Sequence, residues 1–256
     1  MAKTPNPFVW YELMTTDMDA ATAFYRDVVG WRPQSMDQPD MRYTIMNAGD
    51  KMVTGVMPLP AEAREAGARP GWVGYIGVED IDAATDGVRQ AGGKVHREPA
   101  DIPGIGRFSV VADPQGAIFM LFQPSGGDNE PAPPMTPGHV GWRELYAADG
   151  KKAFDFYAGQ FGWTKADAMD MGPMGIYQLF AAGGDAIGGM MTKPAEMPSP
   201  AWLYYFAVPD IDAATARITE KGGQILNGPM EVPGGAWIVQ AMDPQGAMFA
   251  LVGMRS

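Results

Sequence analysis

The chain has 256 residues, 46% of them hydrophobic, and a formal net charge of −11. This acidic balance argues against nucleic-acid binding, which needs clustered lysine and arginine side chains opposite the phosphates. The absence of cysteine excludes disulfides, thiolate catalysis and zinc–thiolate sites. We expect a cytoplasmic protein without a membrane segment, because no apolar run reaches the length of a signal peptide or a spanning helix.

The N-terminal segment has the pattern of a strand followed by a helix. Residues 9–14 alternate as they do in a half-buried strand. Asp17 then stands where a helix N-cap belongs, and Asp19 adds negative charge at the positive end of the helix dipole. Apolar residues within 21–28 recur at i, i+3, i+4 and i+7, and Gly30 ends the pattern. The sequence therefore predicts a strand and an amphipathic helix.

This unit recurs along the chain. The helix start "DMDAAT" at 17–22 returns as "DIDAAT" at 80–85 and 210–215, with a weaker copy beginning at Asp149. Short strand-like runs follow each helix. The "DPQGA" phrases at 113 and 243 have the composition of type I turns and would join the last two strands of each half. The sequence predicts an α+β fold of four strand–helix–strand–strand–strand modules.

The modules group into two tandem halves. "WYELMTTDMDAATAFYRDVVGW" at 10–31 aligns with "WRELYAADGKKAFDFYAGQFGW" at 142–163. We predict one domain over 1–123, a Pro- and Gly-rich linker over 124–138, and a second domain over 139–256. The linker would let the halves pack on each other about a pseudo-two-fold axis within one monomer, and a homodimer is the alternative.

Together, "TTDMDAATAFYRDVVGW", the "DIDAAT…GG" helices and "DPQGAIFMLF" resemble the vicinal oxygen chelate superfamily of glyoxalases, bleomycin resistance proteins and extradiol dioxygenases. The tandem arrangement is most similar to a glyoxalase-like group typified by a mycobacterial antigen. The resemblance covers nearly the whole chain. It implies that paired βαβββ modules curl into half-open barrels, and that each half forms one glyoxalase-like domain. It does not by itself settle function, because this scaffold carries lyases, dioxygenases and non-catalytic binders.

The resemblance also implies a set of metal-ligand positions. In metal-dependent members, four strand positions direct His, Glu or Gln at a divalent ion. Carried onto this sequence, these positions are Trp10, Val56, Val73, Met120, Trp142, Met190, Leu203 and Ala250. None is a nitrogen or carboxylate donor, which a hard or borderline ion needs. His96 and His139 lie elsewhere. We therefore expect no metal and no cofactor.

The strand faces that carry the metal ligands in metal-dependent members would here form a small-molecule cup instead. Such sites combine apolar walls with a few placed polar groups, and Met suits an adaptable wall. The predicted ligand-binding residues are Trp10, Glu12, Met14, Tyr43, Tyr75, Arg107 and Met120 in the first half, and Trp142, Glu144 and Tyr205 in the second. Val56 and Met190 would complete the walls. The alternative is that these side chains fill the barrel and leave no pocket.

Glu12 and Glu144 are the most informative of these residues, because each is a mid-strand acid in register between the halves. A buried carboxylate needs a partner, and Arg42 and Arg107 are possible partners of Glu12. Each acid either braces the sheet or holds a ligand. The first half is the expected functional site, since Trp237 replaces Arg107 in the second.

Three functions are open. One is a metal-free binder of a small, cationic or aromatic molecule. Another is a glyoxalase-like lyase or isomerase, or a dioxygenase-family enzyme, that acts on a small carbonyl compound with or without a metal ion. A tandem fold used only for assembly is a third possibility.

Overall fold

The computed structural model describes residues 5–36, 42–126 and 132–255. The first half consists of β1 (Phe8–Thr15), α1 (Met18–Val29), β2 (Arg32–Ser35), β3 (Thr44–Ala48), β4 (Lys51–Pro58), a short helix α2 (Ala61–Glu65), β5 (Gly71–Gly77), α3 (Ile81–Gln90), β6 (Lys94–Ile102), β7 (Gly106–Ala112) and β8 (Ile118–Pro124). Apart from α2, these are the two predicted βαβββ modules. Among the described residues, no helix is long and apolar enough to span a membrane.

The second half repeats this order. It consists of β9 (Val140–Ala147), α4 (Gly150–Phe161), β10 (Thr164–Asp170), a 3₁₀ turn (Gly172–Met174), β11 (Ile176–Ala181), β12 (Ala186–Thr192), β13 (Ala201–Val208), α5 (Ile211–Glu220), β14 (Gln224–Glu231), β15 (Trp237–Met242) and β16 (Met248–Gly253). The prediction of four modules in an α+β fold is confirmed. Of the predicted linker, residues 127–131 lie outside the described part of the chain.

Local chemistry fixes the helix ends where the sequence predicts them. The carboxylates of Asp17, Asp80, Asp149 and Asp210 each accept a hydrogen bond from the backbone N–H three residues on, at 2.9–3.1 Å. These are N-caps, which satisfy donors that the first turn leaves unpaired. Gly30 ends α1 with φ of 91°, a left-handed conformation that glycine adopts without strain. The capping function of the repeated phrase is confirmed.

Each half forms one eight-stranded mixed sheet. The strand order is β2-β3-β4-β1-β5-β8-β7-β6 in the first and β10-β11-β12-β9-β13-β16-β15-β14 in the second. Both orders are linear, with edge strands at each end. The pairs β1–β4, β5–β8, β9–β12 and β13–β16 are parallel, and the hairpins around them are antiparallel.

Compact packing divides the chain differently from the sheets. Unit 1 comprises Met1–Trp10, Gly74–Pro131 and Arg143–Trp202, and unit 2 comprises Tyr11–Val73, Ala132–Trp142 and Leu203–Ser256. Each unit thus combines one module from the first half with one from the second. The domain limits drawn from the sequence, and the pseudo-two-fold axis, stay predictions.

Each unit has its own aromatic core. In unit 2, Tyr25 of α1 packs edge-on against Trp72 and Phe249, with ring centroids 5.1 and 5.2 Å away. In unit 1, Tyr157 of α4 stacks on Trp163 at 5.3 Å and meets Trp202 edge-on at the same distance. Such ring pairs add to the stabilisation that their burial provides.

Candidate functional site

Glu12 lies at the centre of β1, and strand register identifies its neighbours. Adjacent residues of a strand point to opposite faces, and paired residues on neighbouring strands share a face. Glu12 pairs with Gly55, and Met14 pairs with Met57, both on β4. We call this set, together with Tyr43, the Glu12 face; all of it belongs to unit 2.

Tyr43 belongs to this face because its ring lies directly over Gly55. A Cβ atom built at Gly55 would overlap the Tyr43 hydroxyl, so only glycine permits this approach. The strand position that pairs with Glu12 is therefore covered by a phenol. Glu12 is only 4% exposed. Both Glu12 and Tyr43 have interaction partners within the protein.

Unit 1 contains the same arrangement, built from the second half. Glu144 of β9 pairs with Gly189 of β12, and a Cβ at Gly189 would overlap the ring of Tyr177. We call Glu144, Gly189, Tyr177 and the next register pair, Tyr146 and Met191, the Glu144 face. Glu144 is 7% exposed, and Tyr177 and Met191 are buried. The fold thus places a glutamate next to a glycine covered by a tyrosine ring twice.

The two faces differ in access. Tyr43 and Met57 are partly exposed, whereas their counterparts Tyr177 and Met191 are buried; Met14 and its counterpart Tyr146 are both partly exposed. The acids themselves are enclosed in both units. The Glu12 face is therefore the more accessible of the two.

The remaining predicted residues lie as follows. In unit 1, Tyr75 pairs with Met120, and both are buried. In unit 2, Tyr205 pairs with Ala250, which in turn pairs with Gln240. Because Ala250 is small, the Gln240 amide reaches past it and donates to the Tyr205 hydroxyl at 2.7 Å. Trp10 and Trp142 are half-buried, on the same strand faces as Glu12 and Glu144 respectively.

Arg107 does not belong to the predicted set. It pairs with Gln123, three residues from Met120, so the two lie on opposite faces of the sheet. Its guanidinium binds Asp82 in the first turn of α3, and Asp101. These bonds raise the pKa of Arg107 and lower that of Asp82. Placing Arg107 in the cup is therefore wrong.

Two related expectations also fail. Arg42 is exposed and donates to Asp19 at 2.7 Å rather than bracing the sheet. Trp237, the counterpart of Arg107, is covered by the Arg255 guanidinium at 3.9 Å from its ring centre. Arg255 binds Asp212 in the first turn of α5, so it supplies the cation that Arg107 supplies in the first half. The exchange of Arg107 for Trp237 therefore does not distinguish the predicted cups.

Val56 and Met190 also lie on the face opposite to the one predicted. Val56 pairs with Leu13, and Met190 pairs with Leu145, and all four are fully buried. They are one residue away from Gly55 and Gly189, and a one-residue step reverses the face of a strand.

A buried polar network escaped the sequence analysis. In unit 2 the Trp72 indole N–H donates to the Tyr25 hydroxyl at 2.9 Å, and this hydroxyl donates to the Asp243 carboxylate at 3.1 Å. Backbone N–H groups of Gln245 and Ala247 donate to the other carboxylate oxygen. Burial raises the pKa of Asp243 despite these bonds, and burial together with Asp243 raises that of Tyr25.

Unit 1 carries the equivalent network. Trp202 donates to Tyr157, and Tyr157 donates to Asp113, at 3.0 and 3.2 Å. Burial also raises the pKa of Asp113. The sequence contained one sign of this network, the Asp of each "DPQGA" phrase. That Asp was explained as the first residue of a turn, and not also as a buried hydrogen-bond acceptor. In both units the network links a helix of one half to a turn of the other.

Comparison with known proteins identifies the family. The family model described as Glyoxalase/Bleomycin resistance protein/Dioxygenase superfamily matches residues 8–121 and again residues 136–251. The chain belongs to this superfamily. Its tandem composition and its glyoxalase-like modules are thereby confirmed.

Curated superfamily members match along almost the full length. The chain is 34% identical to "Putative glyoxylase CFP32" of Mycobacterium tuberculosis, over 97% of this chain and 94% of the relative. It is 32% identical to "Anthracycline biosynthesis protein DnrV" of Streptomyces peucetius, over 98% of this chain and 94% of the relative.

Solved superfamily structures share the fold. The Mn(II)-bound glyoxalase from Novosphingobium aromaticivorans superposes with a TM-score of 0.67 at 18% identity, covering 100% of this chain and 83% of that one. The 2,3-dioxygenase LapB from Pseudomonas sp. KL28 gives 0.68 at 13% identity, covering 100% and 94%.

Some superfamily members bind a metal ion, so the side chains of this chain at the corresponding positions matter. At the positions that correspond to their metal ligands, this chain has tryptophan, aliphatic or methionine side chains. These residues are Trp10, Val73, Met120, Trp142, Leu203 and Ala250. Across residues 5–36, 42–126 and 132–255, no group of three or more His, Asp or Glu side chains is placed to hold a metal ion. The side chains at these positions therefore do not fit a hard or borderline metal ion.

Proposed function

We propose that this chain binds a small organic molecule at the Glu12 face without using a metal ion. The observation that carries the proposal is the strand register that places Glu12 next to Gly55, over which the Tyr43 phenol lies. Two partly exposed methionines, Met14 and Met57, continue the same face. Polar groups that fix orientation within an adaptable apolar wall are typical of small-molecule sites.

The chemistry of the face indicates the ligand class. A carboxylate attracts a cation or a hydrogen-bond donor, and a phenol ring attracts a cation or a second aromatic ring. A planar aromatic molecule that carries an amine satisfies both. The name of DnrV supports this choice, because anthracyclines are planar aromatic molecules, many of which bear an amino sugar. The greater exposure of Tyr43 and Met57 favours the Glu12 face over the Glu144 face as the binding site.

The test uses doxorubicin, whose own fluorescence reports binding, and its aglycone, which lacks the amine. Glu12→Gln keeps the shape of the side chain but removes its charge. A charge-assisted hydrogen bond contributes about 1.5–3 kcal/mol, so doxorubicin affinity should fall by about 10- to 150-fold while aglycone affinity is unchanged. Glu144→Gln is the matched control and should change neither. Equal affinities of wild type and Glu12→Gln for doxorubicin would refute the proposal.

A second function is a glyoxalase-like lyase or isomerase acting on a small carbonyl compound. The name of the mycobacterial relative favours it, and so does the acid–phenol pair. A carboxylate can remove a proton beside a carbonyl group while a phenol hydroxyl donates to the carbonyl oxygen. Turnover of the methylglyoxal–glutathione adduct by metal-free protein, abolished by Glu12→Gln, would establish this function. No turnover by wild-type protein would exclude this substrate.

A further inference from the structure

A cavity lies away from the Glu12 and Glu144 faces. Its volume is about 230 Å³, and it lies between the start of α4 and strands β10–β12 in unit 1. Its lining includes Lys151, Phe154, Lys165, Ile176, Gln178 and Met190. Gln178 pairs with Met190, and Met190 pairs with Leu145, so the cavity lies on the opposite face of the sheet from Glu144.

The cavity has an apolar floor and a positively charged mouth. Phe154 and Met190 are 5% and 0% exposed and form the floor. Lys151 and Lys165 are exposed at the mouth, and the Lys165 ammonium lies 5.2 Å from the centre of the Phe154 ring. Lys151 donates to Asp155 at 2.7 Å. An exposed pair of this kind is weak, so Lys151 can also bind an anion.

The backbone that carries Lys165 is held in place. The register between β10 and β11 shifts between Lys165 and Ala168. The side-chain amide of Gln178 donates to the carbonyl oxygens of Ala166 and Asp167 within this bulge, at 3.0 and 3.3 Å. Because the bulge is clamped directly after Lys165, this lysine leaves the strand in a fixed direction. The direction in which the Lys165 side chain leaves the sheet is therefore set before any ligand binds.

The first half shows that the lysines are not a requirement of the fold. In unit 2, a cavity of about 330 Å³ lies between α1 and strands β2 and β3. Aligned at the spacing of the two halves, its lining holds Asp19 in place of Lys151, Thr22 in place of Phe154, and Pro33 in place of Lys165. The first-half site thus has an acid and a hydroxyl where the second half has a lysine and a ring, and its one cation, Arg26, stands at a different position from the two lysines.

We propose that the unit 1 cavity binds a small aromatic carboxylate. The carboxylate would contact Lys151 and Lys165, and the ring would lie on Phe154 and Met190. Two lysines at one apolar hollow form a local anion site on a chain whose net charge is −11, and a carboxylate gains from both charges at once. The hollow below them is too apolar for a hydrated inorganic anion.

Benzoate is the probe, and methyl NMR resonances of Ile176 and Met190 are the readout on the full chain. Wild-type protein should show saturable shifts with benzoate and about tenfold weaker binding of benzamide, the neutral analogue. Lys165→Gln should weaken benzoate binding by about tenfold. Lys152→Gln is the matched control, because Lys152 adjoins Lys151 on α4 but forms its ion pair with Asp149. It should leave binding unchanged.

Three results would overturn the proposal. Shifts that do not saturate would mean that benzoate has no site at this cavity. Equal binding of benzamide would remove the role of the charge. Equal losses in Lys165→Gln and Lys152→Gln would show that benzoate responds only to the overall charge of the chain. The methyl resonances of Met14 and Met57 report the Glu12 face separately, so a ligand bound there is recognised as such.

Discussion

Tyr25→Phe removes one oxygen atom from the centre of unit 2 and should destabilise the protein strongly. The phenyl ring keeps its contacts with Trp72 and Phe249, so apolar packing is preserved. What disappears is the hydroxyl that accepts from the Trp72 indole N–H and donates to Asp243. Tyr25 is fully buried, and Asp243 is 4% exposed.

The size of the effect follows from the two partners left behind. Each buried polar group without a partner costs about 1–3 kcal/mol, and a charged one costs more. The indole N–H and one carboxylate oxygen both lose their partner, so the free energy of unfolding should fall by about 2–6 kcal/mol. For a chain of this length, each 1 kcal/mol corresponds to roughly 2–4 °C in Tm.

Thermal unfolding of wild type, Tyr25→Phe and Tyr157→Phe measures this loss. The unit 1 variant should behave alike, because Tyr157 links Trp202 and Asp113 in the same way. Adding Trp72→Phe to Tyr25→Phe removes one orphaned donor, so the double variant should lose less than the sum of the single losses. Losses below about 1 kcal/mol in both Tyr→Phe variants would refute the reasoning, because they would fall within the value of an ordinary hydrogen bond.

Two further predictions concern pH and metal. Burial raises the pKa of Asp243 in the folded protein, so its contribution to stability is complete below the ordinary Asp value of about 3.9 and is lost as pH rises through the raised pKa. Asp243→Asn lacks this titration, and its Tm relative to wild type should rise with pH from acid towards neutral; a constant difference would contradict this. EDTA and added Mn²⁺ or Zn²⁺ should leave Tm unchanged, whereas a metal bound at a hundredfold over its Kd would add about 2.7 kcal/mol and expose a site outside the expected positions.

The sequence predicted best what local chemistry decides. The four modules followed from apolar periodicity, and the helix starts followed from the capping Asp at 17, 80, 149 and 210. Both signals act within a few residues of the chain. The "DPQGA" turns followed in the same way, and Gly116 N–H donates to Asp113 O at 3.0 Å as a type I turn requires.

The wrong predictions concern residues whose position on one face of a sheet depends on strand register. Arg107 fell on the wrong face because the sequence does not show which residue of β7 stands opposite Met120; the structure shows that it is Val110. Val56 and Met190 were misplaced by one residue, which is enough to reverse a face. The Trp72–Tyr25–Asp243 network joins residues up to 218 positions apart, and the compact units mix the two halves. Both depend on long-range packing that no local pattern encodes.

Because the chain is duplicated, a side chain that recurs in both halves is readily explained by the fold, and one that does not recur points to a function. For Glu12 this comparison does not decide between the two roles. Side chains that recur in both halves, such as the capping Asp residues, have a structural role in both. Glu12 and Glu144 also recur, each beside a glycine and a phenol, which allows both to be braces of the sheet. A brace in each half predicts that Glu12→Gln and Glu144→Gln lower Tm by similar amounts.

A ligand site on the Glu12 face predicts an asymmetry instead. Tyr43 and Met57 on that face are partly exposed, while their counterparts Tyr177 and Met191 are buried. Both acids are enclosed, so both Glu→Gln variants should lower Tm. Glu12→Gln should in addition weaken doxorubicin binding, whereas Glu144→Gln should leave it unchanged. Thermal unfolding of both variants beside the binding titration decides between these outcomes. Equal losses of Tm, with doxorubicin affinity unaffected, would make both acids braces and leave the Glu12 face without a ligand.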